Sequence, residues 1–177
     1  IKTAVKPNTS LAAATTGDIT IHGNITTSGG TAASGAVGQA AGNVTLEAGT
    51  AGFDNTLSAT AATNGQIILD GGGNITAKGS DAASGSTNQA AGAGGAVSLD
   101  TNGENITLTD ASISTGAGTA TGSGSVSTGG KIEINDPLLI TSDTADAVNI
   151  LDTGSAVGGV VTITKSIDGV SGGQDDH

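Results

Sequence analysis

The sequence predicts an all-β chain, a β-solenoid of about six irregular coils whose strands stack in parallel. The first observation behind this prediction is an internal repeat. Gly23-Asn24-Ile25-Thr26 recurs as Gly73-Asn74-Ile75-Thr76, and the phrases Ala-Ala-Ser-Gly and Gln-Ala-Ala-Gly follow in both copies at the same offset of 50 residues. Repetition of this kind indicates an architecture built by stacking similar units.

The second observation is a set of short apolar triplets with β-branched residues in alternating positions, which is the pattern of β-strands. The triplets are Ile19-Thr20-Ile21, Val44-Thr45-Leu46, Ile67-Ile68-Leu69, Val97-Ser98-Leu99, Ile132-Glu133-Ile134 and Val161-Thr162-Ile163. One unit has too little apolar surface to fold alone, whereas stacked units bury the same side chains in continuous columns. We therefore expect the first residues of all six triplets to share one interior column.

Between the triplets, three segments rich in Gly, Ala and Ser are predicted to protrude as loops: residues 28–41, 78–94 and 115–129. The chain divides into a lead-in with a short edge strand (1–16), the solenoid (17–170) and an acidic tail (171–177). The alternatives are a disordered Gly/Ser/Ala/Thr linker and a β-sandwich. In-phase triplets argue against the linker, and the long loops and a single aromatic residue, Phe53, argue against the sandwich.

The charge and composition narrow the range of partners. The formal net charge is −11, and the five basic residues are all Lys. We expect neither nucleic acid nor an anionic membrane surface as a partner, because both attract basic proteins. No apolar run approaches the length of a membrane span, and the chain has no Cys for disulfides or thiolate metal sites.

The repeats also resemble a known family. Residues 17–30, Gly-Asp-Ile-Thr-Ile-His-Gly-Asn-Ile-Thr-Thr-Ser-Gly-Gly, and residues 42–49, Gly-Asn-Val-Thr-Leu-Glu-Ala-Gly, resemble the repeats of filamentous-haemagglutinin-like bacterial adhesins. The resemblance covers about residues 17–165. It implies a right-handed parallel β-helix that serves as a stalk or adhesive passenger outside the cell. The uneven loops of this chain depart from the family pattern.

Acidic residues follow three of the triplets: Glu47, Asp70 and Asp100. If the coils stack in register, these carboxylates form a column with a spacing of about 4.8 Å. Ca²⁺ binds several carboxylate and carbonyl oxygens and would fit such a column. The alternative, which we favour, is a solvated acidic edge that keeps the rod soluble. Calcium is the one cofactor that the sequence suggests.

Five Asn-x-Ser/Thr sequences are candidate glycosylation sites: Asn8, Asn24, Asn43, Asn74 and Asn105. Most of them occupy equivalent positions in the unit. The alternative, which we favour, is a structural row of Asn residues at a corner of the coil, since repetition of the unit would itself repeat the sequon.

Catalysis has little support, and we expect no enzyme and name no catalytic residue. His22 is the one His before the C-terminal His177, and no sequence feature marks a buried carboxylate to orient it. The expected function is a structural segment of a secreted or cell-surface adhesin or of an extracellular fibre. The alternative is a glycan- or calcium-binding module. Expected partners are a second copy in a head-to-tail polymer, neighbouring repeats of a longer chain, or host or matrix glycans.

Overall fold

A computed structural model describes residues 18–49, 65–85, 87–101, 103–142, 148–154 and 157–169. The predicted lead-in (1–16) and tail (171–177) lie outside the described residues. The described residues form thirteen short strands and no helix. In chain order the strands are β1 (Ile19–Ile21), β2 (Ile25–Thr26), β3 (Val44–Glu47), β4 (Ile67–Leu69), β5 (Ile75–Thr76), β6 (Val97–Asp100), β7 (Ile106–Thr109), β8 (Ser112–Ser114), β9 (Ile132–Ile134), β10 (Leu138–Thr141), β11 (Ile150–Asp152), β12 (Val161–Ile163) and β13 (Ile167–Gly169).

The strands form three parallel sheets, which we call walls. Wall 1 has the order β1-β4-β7-β10-β13, wall 2 the order β2-β5-β8-β11, and wall 3 the order β3-β6-β9-β12. Every described pairing is parallel and in register from one coil to the next. The prediction of a parallel β-helix is therefore confirmed, and the β-sandwich is excluded.

The prediction of about six coils is wrong, because each coil contains three strands, and the first two coils each use two of the predicted triplets. The described residues form four complete coils and the first strand of a fifth. The single interior column is wrong for the same reason. Ile19 and Ile67 pair in wall 1, whereas Val44, Val97, Ile132 and Val161 form a separate column in wall 3. The 50-residue repeat is one full coil, since Ile25 pairs with Ile75 in wall 2.

The interior is a narrow aliphatic core built from the inward residues of the three walls. Ile67, Leu99, Ile106, Ile113 and Ile134 are fully buried. The pleat of each strand enforces alternation of inward and outward residues. Most outward positions carry Thr, Ser or charged residues, and Ile68 and Leu139 in wall 1 are exceptions. Small branched side chains suit this core because similar aliphatic residues stack directly above one another.

Three Gly/Ala-rich segments leave the core between wall 2 and wall 3, and we call them arms. Arm 1 comprises residues 27–42, arm 2 residues 77–95 and arm 3 residues 115–130, with Ser86 in arm 2 not described. They correspond to the predicted protruding loops. In coil 4 the equivalent segment, from Thr153 to Gly159, is only a short connection. The arms thus form a second layer beside the first three coils.

Candidate functional site

The three acidic residues predicted to form a column lie in two different walls. Glu47 and Asp100 are register neighbours at the ends of β3 and β6 in wall 3. Asp70 follows β4 in wall 1, where its carboxylate contacts Nδ1 of His22 from the preceding coil. The predicted column of three carboxylates is therefore wrong, because the sequence pattern does not distinguish strands of one wall from strands of another.

A calcium site made from all three residues is accordingly not formed. Within the described residues, no group of three or more His, Cys, Asp or Glu side chains is close enough to hold a metal ion. Glu47 and Asp100 remain adjacent, and two carboxylates supply only part of the oxygen shell that Ca²⁺ requires. Calcium binding by this pair stays a prediction.

The contact between His22 and Asp70 is a feature that the sequence analysis missed. The His22 side chain is largely exposed, and the Asp70 side chain is about one-third exposed. The two residues directly follow Ile21 and Leu69, which pair in wall 1, so the register of the sheet brings them together. The 48-residue offset between β1 and β4 also separates His22 from Asp70. Once these strands are assigned to one wall, this offset predicts the contact.

Two of the five sequon asparagines form a ladder between coils. Asn74 Nδ2 donates to Asn24 Oδ1 over 3.2 Å and to the Gly72 carbonyl over 2.8 Å. Asn74 Oδ1 accepts from the backbone N–H and the hydroxyl of Ser112 in the next coil. A glycan would replace one of the two hydrogens on Asn74 Nδ2 and remove at least one of the two bonds that Nδ2 donates, so the geometry at Asn74 favours the structural interpretation.

The remaining sequons differ in their surroundings. Asn43 Oδ1 accepts from the Ala96 backbone N–H over 2.8 Å, which again links two coils. Asn24, Asn43 and Asn105 are exposed. Asn8 lies outside the described residues. Glycosylation at these positions stays a prediction.

Side-chain oxygens that cap backbone N–H groups of a neighbouring coil recur along the rod. Asp18 Oδ1 accepts from Gln66 N over 2.9 Å, and Asn149 Oδ1 accepts from Ala111 N over 3.0 Å. The strongest case is Asp136, which is 6 % exposed. Its two oxygens accept from the N–H groups of Thr101, over 2.6 Å, and Gly103, over 3.0 Å. Many acidic and Asn side chains thus hold coils together.

Each long arm is closed at its base by a pair of residues that we call the clasp. In arm 3, Gly130 N donates to the Thr115 carbonyl over 2.6 Å, and the Thr115 hydroxyl donates to the Gly130 carbonyl over 2.7 Å. Thr27 and Gly42 make the same two bonds in arm 1, both of 2.8 Å. In arm 2 the clasp residue is Ala77, which keeps only the backbone bond to Gly95.

Backbone hydrogen bonds also connect the arms to one another. Gly29 N donates to the Lys78 carbonyl over 2.8 Å, and Gly79 N donates to the Gly116 carbonyl over 3.0 Å. Each arm has an outgoing and a returning segment, and these bond too: Gly92 N donates to the Ser80 carbonyl over 2.9 Å. The arms are therefore a hydrogen-bonded layer even though they contain none of the strands.

Glycine is required in this layer because backbone packs directly against backbone. A Cβ added at Gly79 would overlap the Gly92 carbonyl, and one at Gly118 would overlap the Ser80 carbonyl. The same steric demand places Gly at the crowded axis of collagen. At the arm tips, Gly35 and Gly85 have φ values of 75° and 77°, in the left-handed region that favours Gly in turns.

Two shallow grooves run along the outgoing segments of the arms. The first, about 560 Å³, is lined by Thr31, Lys78, Ser80 and Asp81 among smaller residues. The second, about 610 Å³, lies where arm 3 faces the short connection of coil 4, and Lys78, Val126, Asp152 and Val157 contribute to its walls. Lys78 lines both grooves and is therefore a side chain that the two grooves share.

The Lys78 ammonium faces the Asp152 carboxylate at 3.8 Å, and both side chains are partly exposed. The Gly154 backbone N–H, which donates to Asp152 Oδ1, lowers the pKa of this carboxyl. The Ser114 hydroxyl and the charge of Lys78 lower the pKa further, while partial burial opposes them. Asp152 therefore keeps its negative charge into acidic solution.

Comparisons with family models, curated proteins and solved structures give no match to this chain. Among the described residues, no helix has the length and apolar character needed to cross a membrane.

Proposed function

We propose that this chain is a structural, non-catalytic β-solenoid segment of a secreted or cell-surface adhesin or of an extracellular fibre. The observation that carries the proposal is the continuity of three parallel hydrogen-bonded ladders through every described coil. Each coil lengthens such a rod by about 4.8 Å. A fold of this kind functions as a spacer, because its length follows directly from the number of coils.

The surface of the rod supports the same proposal. The outward positions of the walls carry mainly Thr, Ser and acidic residues, for example Thr45, Ser98 and Glu133 in wall 3. With a net charge of −11, neighbouring rods repel one another, which disfavours lateral aggregation of exposed sheets. The resemblance of residues 17–49 to adhesin repeats points in the same direction.

The location can be tested on intact cells that make the protein. An antibody raised against the arms should label unpermeabilised cells, and external protease should remove that label. A cytoplasmic protein should serve as the control and stay intact. Labelling that requires permeabilisation would contradict the proposal.

The adhesive role needs a separate measurement. Beads coated with the purified chain should bind no better to host or matrix surfaces than beads coated with an unrelated acidic protein, if the chain is a spacer. Beads coated with the whole adhesin or fibre protein of which the chain is the proposed segment should adhere. Equal, strong adhesion of the isolated chain would replace the spacer role with a binding role.

A glycan-binding module is the second candidate, and the arm grooves favour it over a calcium module. Thr31, Ser80 and Asp81 offer hydroxyl and carboxylate groups, and Lys78 offers an ammonium, within one groove of about 560 Å³. Binding to a glycan array should be lost in Lys78→Ala and kept in Lys165→Ala, which removes an exposed Lys on the last coil. Absence of binding by the unmodified chain would eliminate this candidate.

A further inference from the structure

The arm layer stops after arm 3, whereas all three walls continue into coil 4. Thr153 and Gly159 make the same pair of bonds as the clasps of arms 1 and 3. Gly159 N donates to the Thr153 carbonyl over 3.4 Å, and the Thr153 hydroxyl donates to the Gly159 carbonyl over 3.1 Å. Only residues 154–158 lie between them, compared with residues 116–129 in arm 3. Coil 4 therefore has the base of an arm and lacks the arm itself.

Successive arms are joined by backbone amides that donate to the next arm along the rod. Ala82 N in arm 2 donates to the Thr119 carbonyl of arm 3 over 2.9 Å, in the outgoing segments. Ala91 N donates to the Ser125 carbonyl over 3.2 Å, in the returning segments. As in the walls, each donor aligns with the residue that follows its acceptor. The same register therefore runs through walls and arms.

The missing arm leaves arm 3 with an open backbone edge. By register, Ala120 and Val126 are the residues of arm 3 that correspond to the two donors of arm 2. No described residue accepts a hydrogen bond from the backbone N–H of either one. Closer to the core the edge is covered, because Gly129 N donates to the Val157 carbonyl of the short connection over 2.8 Å. An open edge of this kind is a template for the addition of another extended chain.

The second groove, of about 610 Å³, lies on this open side of arm 3, and we call it the slot. Val126 and Val157 in its walls are 53 % and 45 % exposed. Arms that stack with the coils lie about 4.8 Å apart, so the vacant position next to arm 3 is one extended chain thick. The slot thus combines unpaired backbone donors with exposed aliphatic side chains.

The contacts between arms 2 and 3 define the kind of chain that fits the slot. Gly118 of arm 3 lies against the Ser80 carbonyl of arm 2, and an added Cβ would overlap that oxygen. Gly124 lies in the same way against the Gln89 carbonyl. A segment that stacks on arm 3 in the same register meets the carbonyls of Gly118 and Gly124. It therefore needs Gly at these two positions.

The base of the slot favours a segment that is not attached to another rod. In each arm, the clasp joins the two ends of the arm to its own coil. The Thr153–Gly159 clasp already occupies the place where an arm stacked on arm 3 would join its coil. An arm that is still part of a second copy would therefore bring its coil into the space of coil 4. A looped segment without such a coil meets no such obstacle.

We infer that the slot binds a Gly/Ala-rich segment of another polypeptide, which folds back on itself as an arm does and accepts hydrogen bonds from the Ala120 and Val126 amides. The bound segment continues two established interfaces, those between arms 1 and 2 and between arms 2 and 3. This inference goes beyond the proposed spacer role, because it gives the rod a peptide partner. The glycan candidate uses the first groove and is a separate site.

A synthetic peptide with the sequence of residues 116–129, blocked at both ends, is the probe for the full chain. The control peptide carries Gly118→Ala and Gly124→Ala, which place a Cβ against carbonyls of the slot. At millimolar peptide, the amide resonances of Ala120 and Val126 should shift and saturate with the first peptide. The control should bind about tenfold more weakly or less, because backbone overlap forces the chains apart. Equal binding of the two peptides would overturn the inference, as would the absence of shifts with both.

Two variants of the chain locate the bound peptide. Val126→Ser removes an aliphatic side chain from the slot and should weaken peptide binding several-fold. Val37→Ser is the matched control, because Val37 lies in the returning segment of arm 1, outside the slot, and is 47 % exposed. Peptide binding to this control should be unchanged. Equal weakening by both variants would place the peptide elsewhere and overturn the inference.

A dilution series without peptide tests the competing occupant, a second copy of this chain, which the sequence analysis expects as a partner. The resonances of Ala120 and Val126 should not depend on the concentration of the chain. Shifts of both resonances that follow the formation of an oligomer in sedimentation would assign the slot to a second copy and overturn the inference. None of these measurements depends on adhesion or cellular location, so failure here is distinguishable from failure of the proposed function.

Discussion

The core and the arms of this molecule both stack from one coil to the next, but different interactions hold the two layers together. In the core, Ile, Leu and Val side chains fill the space between three walls, and apolar burial is the main stabilising force. In the arms, Gly removes the side chains, and chains lie backbone against backbone with hydrogen bonds between and within arms. The core tolerates changes that preserve volume, whereas the arms tolerate no added carbon at the contact positions.

The largest effect is expected in the core. Ile134→Ala removes a fully buried side chain of wall 3 and should destabilise the fold by about 2–5 kcal/mol. Ile163→Ala, at the next position in the same column, should cost less because Ile163 is only partly buried. Urea unfolding with an unchanged m-value checks both. Equal costs would show that the C-terminal end is as well packed as the middle of the rod.

The second effect concerns the arms. In Gly118→Ala the added Cβ overlaps the Ser80 carbonyl, so the arms must separate at a cost of about 1–3 kcal/mol. Gly30→Ala is the matched control, because a Cβ there meets no atom within 4 Å. Hydrogen exchange should increase at the amides of Gly79 and Ala82 and change little at Ile106 in the core. Uniform loss of protection would mean that arms and core unfold as one unit.

The third effect concerns the bonds between coils. Asp136→Ala leaves the N–H groups of Thr101 and Gly103 without their acceptor, which should cost about 2 kcal/mol. Asp136→Asn keeps one acceptor oxygen and should cost less. Asp168→Ala, on the exposed last strand, is the control and should be close to neutral. Chemical denaturation measures all three, and a neutral Asp136→Ala would contradict the capping role.

The smallest effect is a pH dependence at the junction of arm and core. Because the pKa of Asp152 is lowered in the folded chain, its stabilising contribution is complete above the ordinary carboxyl value, 3.8, and is lost as the pH falls through the lower folded value. Asp152→Asn should therefore lower the melting temperature slightly at pH 6 and have no effect at strongly acidic pH. A difference in melting temperature that stays constant at every pH would show that the charge of Asp152 does not cause the effect.

Much of the core was predictable from the sequence, because alternation of apolar residues identifies inward positions directly. All six predicted triplets form strands with inward first and third residues. Their assignment to coils was not predictable from alternation, since an apolar triplet in wall 1 looks the same as one in wall 3. The clue lay in the repeat: Asn24 and Asn74 are hydrogen-bonded neighbours, so their 50-residue offset spans one coil, between β2 and β5.

The candidate site was less predictable. Glu47 and Asp100 are the last residues of equivalent strands and are neighbours, but Asp70 belongs to another wall and contacts His22. The order in the arms was missed because a Gly/Ala-rich segment has no apolar periodicity. Its structure depends on backbone contacts with other arms, which no local pattern records.

The pairing of strands one coil apart is tested most directly by amide-to-Hα nuclear Overhauser effects. In the three-wall structure, Ile19 N donates to the Gln66 carbonyl over 2.9 Å and Val44 N to the Ala96 carbonyl over 2.8 Å. Cross-peaks are therefore expected from the Ile19 amide to the Ile67 Hα and from the Val44 amide to the Val97 Hα. Cross-peaks from Ile19 to Val44 and from Val44 to Ile67, in place of these, would contradict the three-strand coil.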